Sequence, residues 1–176
     1  MQLVDVLRYD WAHTFLADSL VGQEMWCLIA AAKREGLFGE QAIYDFLSQP
    51  WCFPGSTREA KGTKWNQLQA IFDEWRRGKH EEKGTIKASM SELLGLYGML
   101  RHFVDLRTSD LARMSEEVYL FRLTCRAVDL VLAAKKRRMP VRDAGEQLLA
   151  VLEEHMQLRV KLHGNRLGFA EEPLGF

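Results

Sequence analysis

Cysteine is scarce in this chain of 176 residues, and its three cysteines stand far apart. Cys27, Cys52 and Cys125 form no Cys-x-x-Cys pair, which argues against a structural zinc site and against a disulfide framework. We therefore expect all three to be reduced and mostly buried as small apolar residues.

Long hydrophobic runs are also missing. No stretch approaches the roughly 18 to 20 apolar residues of a membrane span. The first residues, MQLVDVLRYD, carry acids where a secretory signal needs bases. The sequence thus predicts a protein of the cell interior without a membrane partner.

An excess of one charge is absent as well, since 24 lysines and arginines balance 24 aspartates and glutamates. Neutrality argues against indiscriminate binding of nucleic acid. The charge is nevertheless uneven: residues 126–142 carry six bases and one acid, a net charge of +5, and residues 58–87 carry eight bases and five acids, a net charge of +3. Each of these basic segments could contact phosphate groups locally.

The common catalytic motifs are not present. The chain contains no G-x-x-x-x-G-K-[ST], G-x-G-x-x-G, H-E-x-x-H or G-x-S-x-G sequence, and its five histidines are dispersed. A small-molecule enzyme therefore has no motif in its favour. The 47% hydrophobic and 27% charged residues are ordinary for a globular protein.

Hydrophobic periodicity predicts helices for almost everything after Asp10. We expect an all-α fold: a single compact domain of about six helices over residues 1–163, with at most one short strand within residues 1–10 and a tail over residues 164–176. The predicted helices cover residues 14–35, 40–48, 64–77, a segment that starts at Ser89, 115–138 and 142–163. Glycine or proline ends several of them, at Gly36, Pro50, Gly78, Pro140 and Gly164.

The helix over residues 115–138 is expected to be central. Residues 118–132 are apolar on nearly every side except for a narrow strip through Arg122, Arg126 and Asp129. The last helix is expected to turn one stripe inward, formed by Leu148, Leu149, Leu152, Met156 and Val160.

The two basic segments supply candidate DNA contacts. KKRR, residues 135–138, closes the central helix, where positive charge also complements the negative end of the helix dipole. A phosphate contact or a nuclear-localisation patch is the alternative. In WRRGKHEEKGTIK, residues 75–87, acids dilute the bases, so a solvated loop competes with a DNA contact. The candidate residues are Arg76, Arg77, Lys79, Lys135, Lys136, Arg137 and Arg138.

Other polar and aromatic residues have a structural interpretation beside a functional one. His102 and Asp105 lie three residues apart and could share a hydrogen bond as a surface pair. His155 and His163 border an apolar stripe, which is typical of partly buried structural histidines. Trp65 and Trp75 share a helix face, and core packing is favoured there over base stacking.

Asp10 follows the short β-branched segment LVDVLRY, a position from which a carboxylate can bind a metal ion or begin a helix. Two-metal sites need at least two carboxylates that converge on the ions. Asp5 lies five residues earlier in the same segment and faces the other side of a strand. Asp10 alone therefore does not make a magnesium site.

The stretch VDVLRYDWAHTFLADSLVGQEMW resembles the region around the second metal-binding aspartate of RNase H-like, DDE-type transposases from eukaryotic mobile elements. Asp10, His13 and Gly22 match that pattern, and residues 40–160 look like the long helical insertion that follows it. The strands that would carry the first aspartate are missing before Asp10.

This resemblance implies a transposase-derived, catalytically incomplete helical domain. Asp10 would be a relic of a Mg²⁺ ligand, with no cofactor bound unless a complete acidic set exists. The partner would be the DNA backbone and the location nuclear. The alternative is a helical interaction module without enzymatic activity, which binds itself or another protein through apolar surface.

Overall fold

A computed structural model describes residues 20–47, 85–86, 90–107 and 111–164 of the chain. Within these ranges the backbone forms five α-helices: α1 (Leu20–Arg34), α2 (Glu40–Leu47), α3 (Met90–Leu106), α4 (Ser115–Lys135) and α5 (Val141–His163). One turn of 3-10 helix, Ala112–Met114, leads into α4. The described ranges contain no strand, which confirms the predicted all-α class. The strand expected within residues 1–10 and the helix expected over 64–77 lie outside the described residues.

Helix α1 has the spacing of a helix with one buried face. Its buried apolar residues recur at intervals of three and four: Val21, Met25, Leu28, Ile29 and Ala32. The helix ends because Gly36 adopts a left-handed conformation with φ of 67°. Leu37 N–H then donates to the Ala32 carbonyl at 2.9 Å, and Gly36 N–H to that of Lys33 at 3.1 Å, which together form a Schellman motif. The predicted closure at Gly36 is confirmed.

Helix α4 is central, as predicted, because it buries two faces. One face packs with α1 and α3 through Val118, Phe121, Cys125 and Val128. The other packs against α5 through Leu123, Ala127, Leu130 and Val131. Each buried valine, leucine or phenylalanine among them stabilises the fold by roughly 1.5 to 3 kcal/mol relative to exposure.

The polar strip of α4 meets polar residues of α3. Arg101 Nη1 donates to Asp129 Oδ2 at 2.6 Å, and Tyr97 Oη donates to Asp129 Oδ1 at 3.0 Å. Arg122 Nη2 donates to Asp105 Oδ1 at 2.8 Å. Arg122 and Asp129 of the strip therefore belong to a network between the two helices.

The ring of His102 packs near that of Phe46, with 6.0 Å between centroids. A bond between His102 and Asp105 stays a prediction.

Gly22 allows residues 85–86 to approach the backbone of α1. Ile86 N–H donates to the Gly22 carbonyl at 3.1 Å. A Cβ atom on residue 22 would lie 2.7 Å from the Ile86 carbonyl oxygen and 2.9 Å from Thr85 Oγ1. Close packing is thus a sufficient reason for glycine at this position, which is one of those that match the transposase pattern.

Two details of the predicted helices were wrong. Helix α4 ends at Lys135 instead of residue 138, because Arg137 turns into the left-handed region. On α5, Leu148 is buried, but Leu149, Met156 and Val160 are 53%, 49% and 48% exposed. The core face of α5 instead runs through Leu148, Val151 and His155, and Leu149 lies about 100° further round the helix.

In the part of the chain that the structure describes, no helix combines the length and the apolar character needed to cross a bilayer.

Candidate functional site

The connection between α4 and α5 brings four consecutive cations to one corner of the helical domain. Lys135, Lys136, Arg137 and Arg138 form this basic corner, and all four side chains are exposed. Among the described residues, Lys136, Arg137 and Arg138 have no partner in an ion pair. Their charges are therefore available to an anion from outside.

The backbone of the basic corner is unusual for the residues it carries. Arg137 has a φ of 55° and is the one described residue other than glycine with a positive φ. Arg138 N–H donates to the Ala133 carbonyl at 2.8 Å and Arg137 N–H to that of Ala134 at 3.0 Å. This is the Schellman motif of α1 again, with arginine where α1 has glycine. An L-residue in that conformation costs roughly 1 to 2 kcal/mol that glycine largely avoids.

The helix dipole explains part of this charge. Lys135 and Lys136 lie at the carboxyl end of α4, where cations are favoured by about 0.3 to 1 kcal/mol. Further along, Arg142 Nε pairs with Glu146 Oε1 at 3.0 Å within α5. The dipole does not account for an arginine at the left-handed position, since glycine there would satisfy the backbone at lower cost.

The remaining candidate residues lie outside the described ranges: Asp10, Arg76, Arg77, Lys79, Trp65 and Trp75. In the described ranges, no group of three or more His, Cys, Asp or Glu side chains is placed to hold a metal ion. The basic corner is thus the part of the predicted DNA-binding set that the structure describes.

A second charged site was missed from the sequence. The buried ion cluster consists of Glu24 on α1 with His155 and Arg159 on α5. Glu24 and His155 are each 1% exposed, and Arg159 is also largely buried. Arg159 Nη1 pairs with Glu24 Oε1, while Arg159 Nη2 donates to Gln23 Oε1 at 3.2 Å. The cluster therefore ties the carboxyl-terminal half of α5 to α1.

The expected burial of His155 is confirmed. Its Nε2 atom lies 3.3 Å from Glu24 Oε1. Neither ring nitrogen makes a hydrogen bond with proper geometry within the described part of the chain. Since Glu24 and Arg159 already pair, and since the carboxylate and the imidazole are closed off from solvent, this arrangement suits a structural role better than catalysis.

The two described cysteines are free thiols, as expected. Burial raises the pKa of Cys27 to about 11, with Glu24 adding to the effect, and burial raises the pKa of Cys125 to about 12. Both thiols are therefore protonated at neutral pH and are poor nucleophiles. Cys52 lies outside the described residues.

An open groove of about 520 Å³ lies between the start of α4 and the second half of α5. Four of its lining residues are already paired with one another: Tyr119 Oη donates to Glu154 Oε1 at 2.6 Å, and Lys161 pairs with Glu116. Both carboxylates of the groove therefore have a partner within the fold.

Comparison with known proteins finds no matching family model, no matching curated protein and no matching solved structure. The resemblance to DDE-type transposases therefore stays a prediction, and the basic corner has to be judged on its own geometry.

Proposed function

We propose that this chain is a transposase-derived, non-catalytic helical domain that makes weak contacts with the DNA backbone through its basic corner. The observation that supports the DNA contact is Arg137, a cation held at a left-handed position that favours glycine. Its neighbours Lys136 and Arg138 are exposed and add to the same patch of positive charge.

The proposed contacts are with phosphate groups and carry no sequence information. Lysine and arginine release condensed counterions when they neutralise phosphates, so affinity falls with salt by roughly 0.9 log units per contact for each log unit of salt. Four contacts at the basic corner would give a slope of about −3.6. Arg76, Arg77 and Lys79 would add further contacts if they reach the same duplex. Mg²⁺ is expected to act only as a salt, because Asp10 is a relic ligand in this proposal.

The test is fluorescence anisotropy of a labelled duplex, titrated with protein at several salt concentrations, with and without Mg²⁺. The double variant Lys136→Glu/Arg138→Glu removes two exposed cations at the corner. We expect at least a tenfold loss of affinity at low salt and a slope that is shallower by about 2.

The matched control is Arg113→Glu/Arg126→Glu, which makes the same change in net charge at two exposed positions away from the corner. We expect a smaller loss and an almost unchanged slope, since long-range attraction weakens but no contact is lost. Equal losses in the two double variants would reject the corner as the contact. An unbound duplex at low salt would reject DNA binding altogether.

A further inference from the structure

Helix α5 is anchored in two different ways along its length. Its amino half, residues 141–151, buries the apolar side chains of Ala144, Leu148 and Val151. In its carboxyl half, residues 152–163, His155 is the one buried residue, and every residue of α5 is described by the structure. The amino half is therefore anchored by apolar burial, whereas the buried side chain of the carboxyl half belongs to the buried ion cluster.

The other contacts of the α5 carboxyl half are partly buried or exposed. Leu152 and Leu158 are partly buried against the core between α4 and α5. Two contacts with α4, one through Glu154 and one through Lys161, lie at the surface, where water weakens such pairs. Among the described residues, the buried ion cluster is thus the main buried anchor of this half.

A buried ion cluster holds a helix weakly. The loss of hydration on burying Glu24 and Arg159 can cost more than their pairing gains. His155 adds to this cost, because neither of its ring nitrogens has a hydrogen-bond partner in the described part of the chain. All three side chains regain water when the α5 carboxyl half leaves α1, which lowers the free energy of opening. Opening the amino half would instead expose apolar side chains.

We propose that the α5 carboxyl half opens as one unit, away from α1, while the amino half and the other described helices stay packed. The break falls between Val151, the last buried apolar residue of α5, and His155. An undocked helix end keeps its hydrogen bonds only marginally in water, so opening exposes its backbone amides. The α5 carboxyl half is thus a segment that leaves the fold without unfolding it.

This opening is independent of the DNA contact. The basic corner, residues 135–138, lies beside the amino half of α5, which stays packed. The two proposals can therefore fail separately.

Hydrogen exchange of the full chain, followed by NMR at several low urea concentrations, measures the opening directly. The amides of residues 156–160 bond to carbonyls of residues 152–156, all within the α5 carboxyl half. We expect these amides to share one protection factor, about tenfold or more below that of residues 118–131 in α4, because they exchange without global unfolding. Their exchange should also depend less on urea, since less surface is exposed.

Two exchange patterns would overturn the proposal. Equal protection in the α5 carboxyl half and in α4 would mean that this half opens only with the whole fold. Protection that declines steadily toward residue 163 would mean that the helix end frays residue by residue and does not open as a unit.

The triple variant Glu24→Met/His155→Leu/Arg159→Met tests whether the cluster causes the opening. Unlike the removal of one partner, it leaves no charge behind in the interior, and the net charge of the chain is unchanged. Exchange at residues 156–160 should slow about tenfold or more, because opening would now expose apolar surface and recover no hydration of charges. Circular dichroism checks the helices, and DNA anisotropy should match the wild type.

The matched control is Glu116→Gln/Lys161→Gln, which removes an exposed ion pair between α4 and the same half of α5. Its exchange at residues 156–160 should stay within about threefold of the wild type. Unchanged or faster exchange in the triple variant, or loss of its helices, would overturn the buried ion cluster as the cause of the opening.

Discussion

The buried ion cluster and the basic corner hold charge in opposite ways. In the cluster, Glu24 is 1% exposed and pairs with Arg159, so its charge is satisfied inside the fold. At the corner the cations face solvent, and three of them have no ion-pair partner among the residues described. The first arrangement leaves nothing for a ligand to bind, whereas the second leaves its charge open to one.

The contrast separates charge that the fold needs from charge that the fold tolerates. Removing one partner of a buried pair leaves the other uncompensated in a low-dielectric environment, which is costly. Removing an exposed cation changes stability little. Variants in the cluster should therefore reduce the stability of the fold. Variants in the corner should weaken DNA binding and have little effect on stability.

The largest expected effect comes from Glu24→Ala. This change leaves Arg159 and His155 without the carboxylate, and we expect the free energy of unfolding to fall by about 3 to 5 kcal/mol. Urea denaturation followed by circular dichroism measures the loss. Without urea, DNA binding should not weaken, because Glu24→Ala removes no cation of the basic corner.

Glu116→Ala is the matched control for Glu24→Ala. It also removes a glutamate that pairs with a base on α5, but Lys161 and Glu116 are 64% and 47% exposed. The expected loss is below about 1 kcal/mol. Equal losses in the two variants would show that burial does not distinguish the two pairs.

A smaller effect, of opposite sign, is expected at Arg137. Arg137→Gly should raise the free energy of unfolding by about 1 kcal/mol, because glycine enters the left-handed region without steric cost. The same change should weaken DNA binding, since it removes one cation. Thermal or urea denaturation measures the first effect and anisotropy the second.

Arg137→Ala separates the two effects of Arg137→Gly. Alanine removes the charge but keeps a Cβ atom at the left-handed position, so stability should stay within about 0.5 kcal/mol of the wild type. DNA binding should fall as far as in Arg137→Gly. A stability gain in the alanine variant would mean that charge repulsion, and not backbone conformation, destabilises this corner.

The helix ends show how far the sequence could predict this fold. Gly36 and Gly164 both have positive φ, and glycine at the end of an apolar pattern is a strong signal for a helix end. Arg137 makes the same turn as Gly36 without that signal, so the predicted helix ran three residues too far. The sequence records which residue is present, but not that its backbone is held by hydrogen bonds to Ala133 and Ala134.

The buried ion cluster was harder to predict than the helices, because its residues are distant in the chain. Glu24 stands within the buried stripe of α1, and an acid there was a usable signal for a buried pair. Its partner Arg159 is 135 residues away and cannot be chosen from spacing. His155 was predicted because it borders the core stripe of its own helix, which is a local pattern.

The same local pattern misled the prediction for the outer face of α5. Leu148 and Leu149 are adjacent, so a core stripe and a surface stripe merge into one broad apolar face in the sequence. The structure separates them, since Leu148 is 7% exposed and Leu149 is 53% exposed.

The smallest expected effect concerns charges that are paired, as in the buried ion cluster, but exposed, as at the basic corner. Asp105, Arg122 and Arg101 are 46%, 41% and 44% exposed, and Asp105 pairs with both arginines. Asp105→Asn should lower the free energy of unfolding by about 0.5 kcal/mol, because water and salt screen these pairs. Urea denaturation at low salt and at about 1 M salt should show the loss shrink as salt rises. A loss that does not change with salt would mean that the pairs of Asp105 respond to salt as a buried pair does, although they are exposed. Exposure would then not be the property that separates the charged regions of this chain.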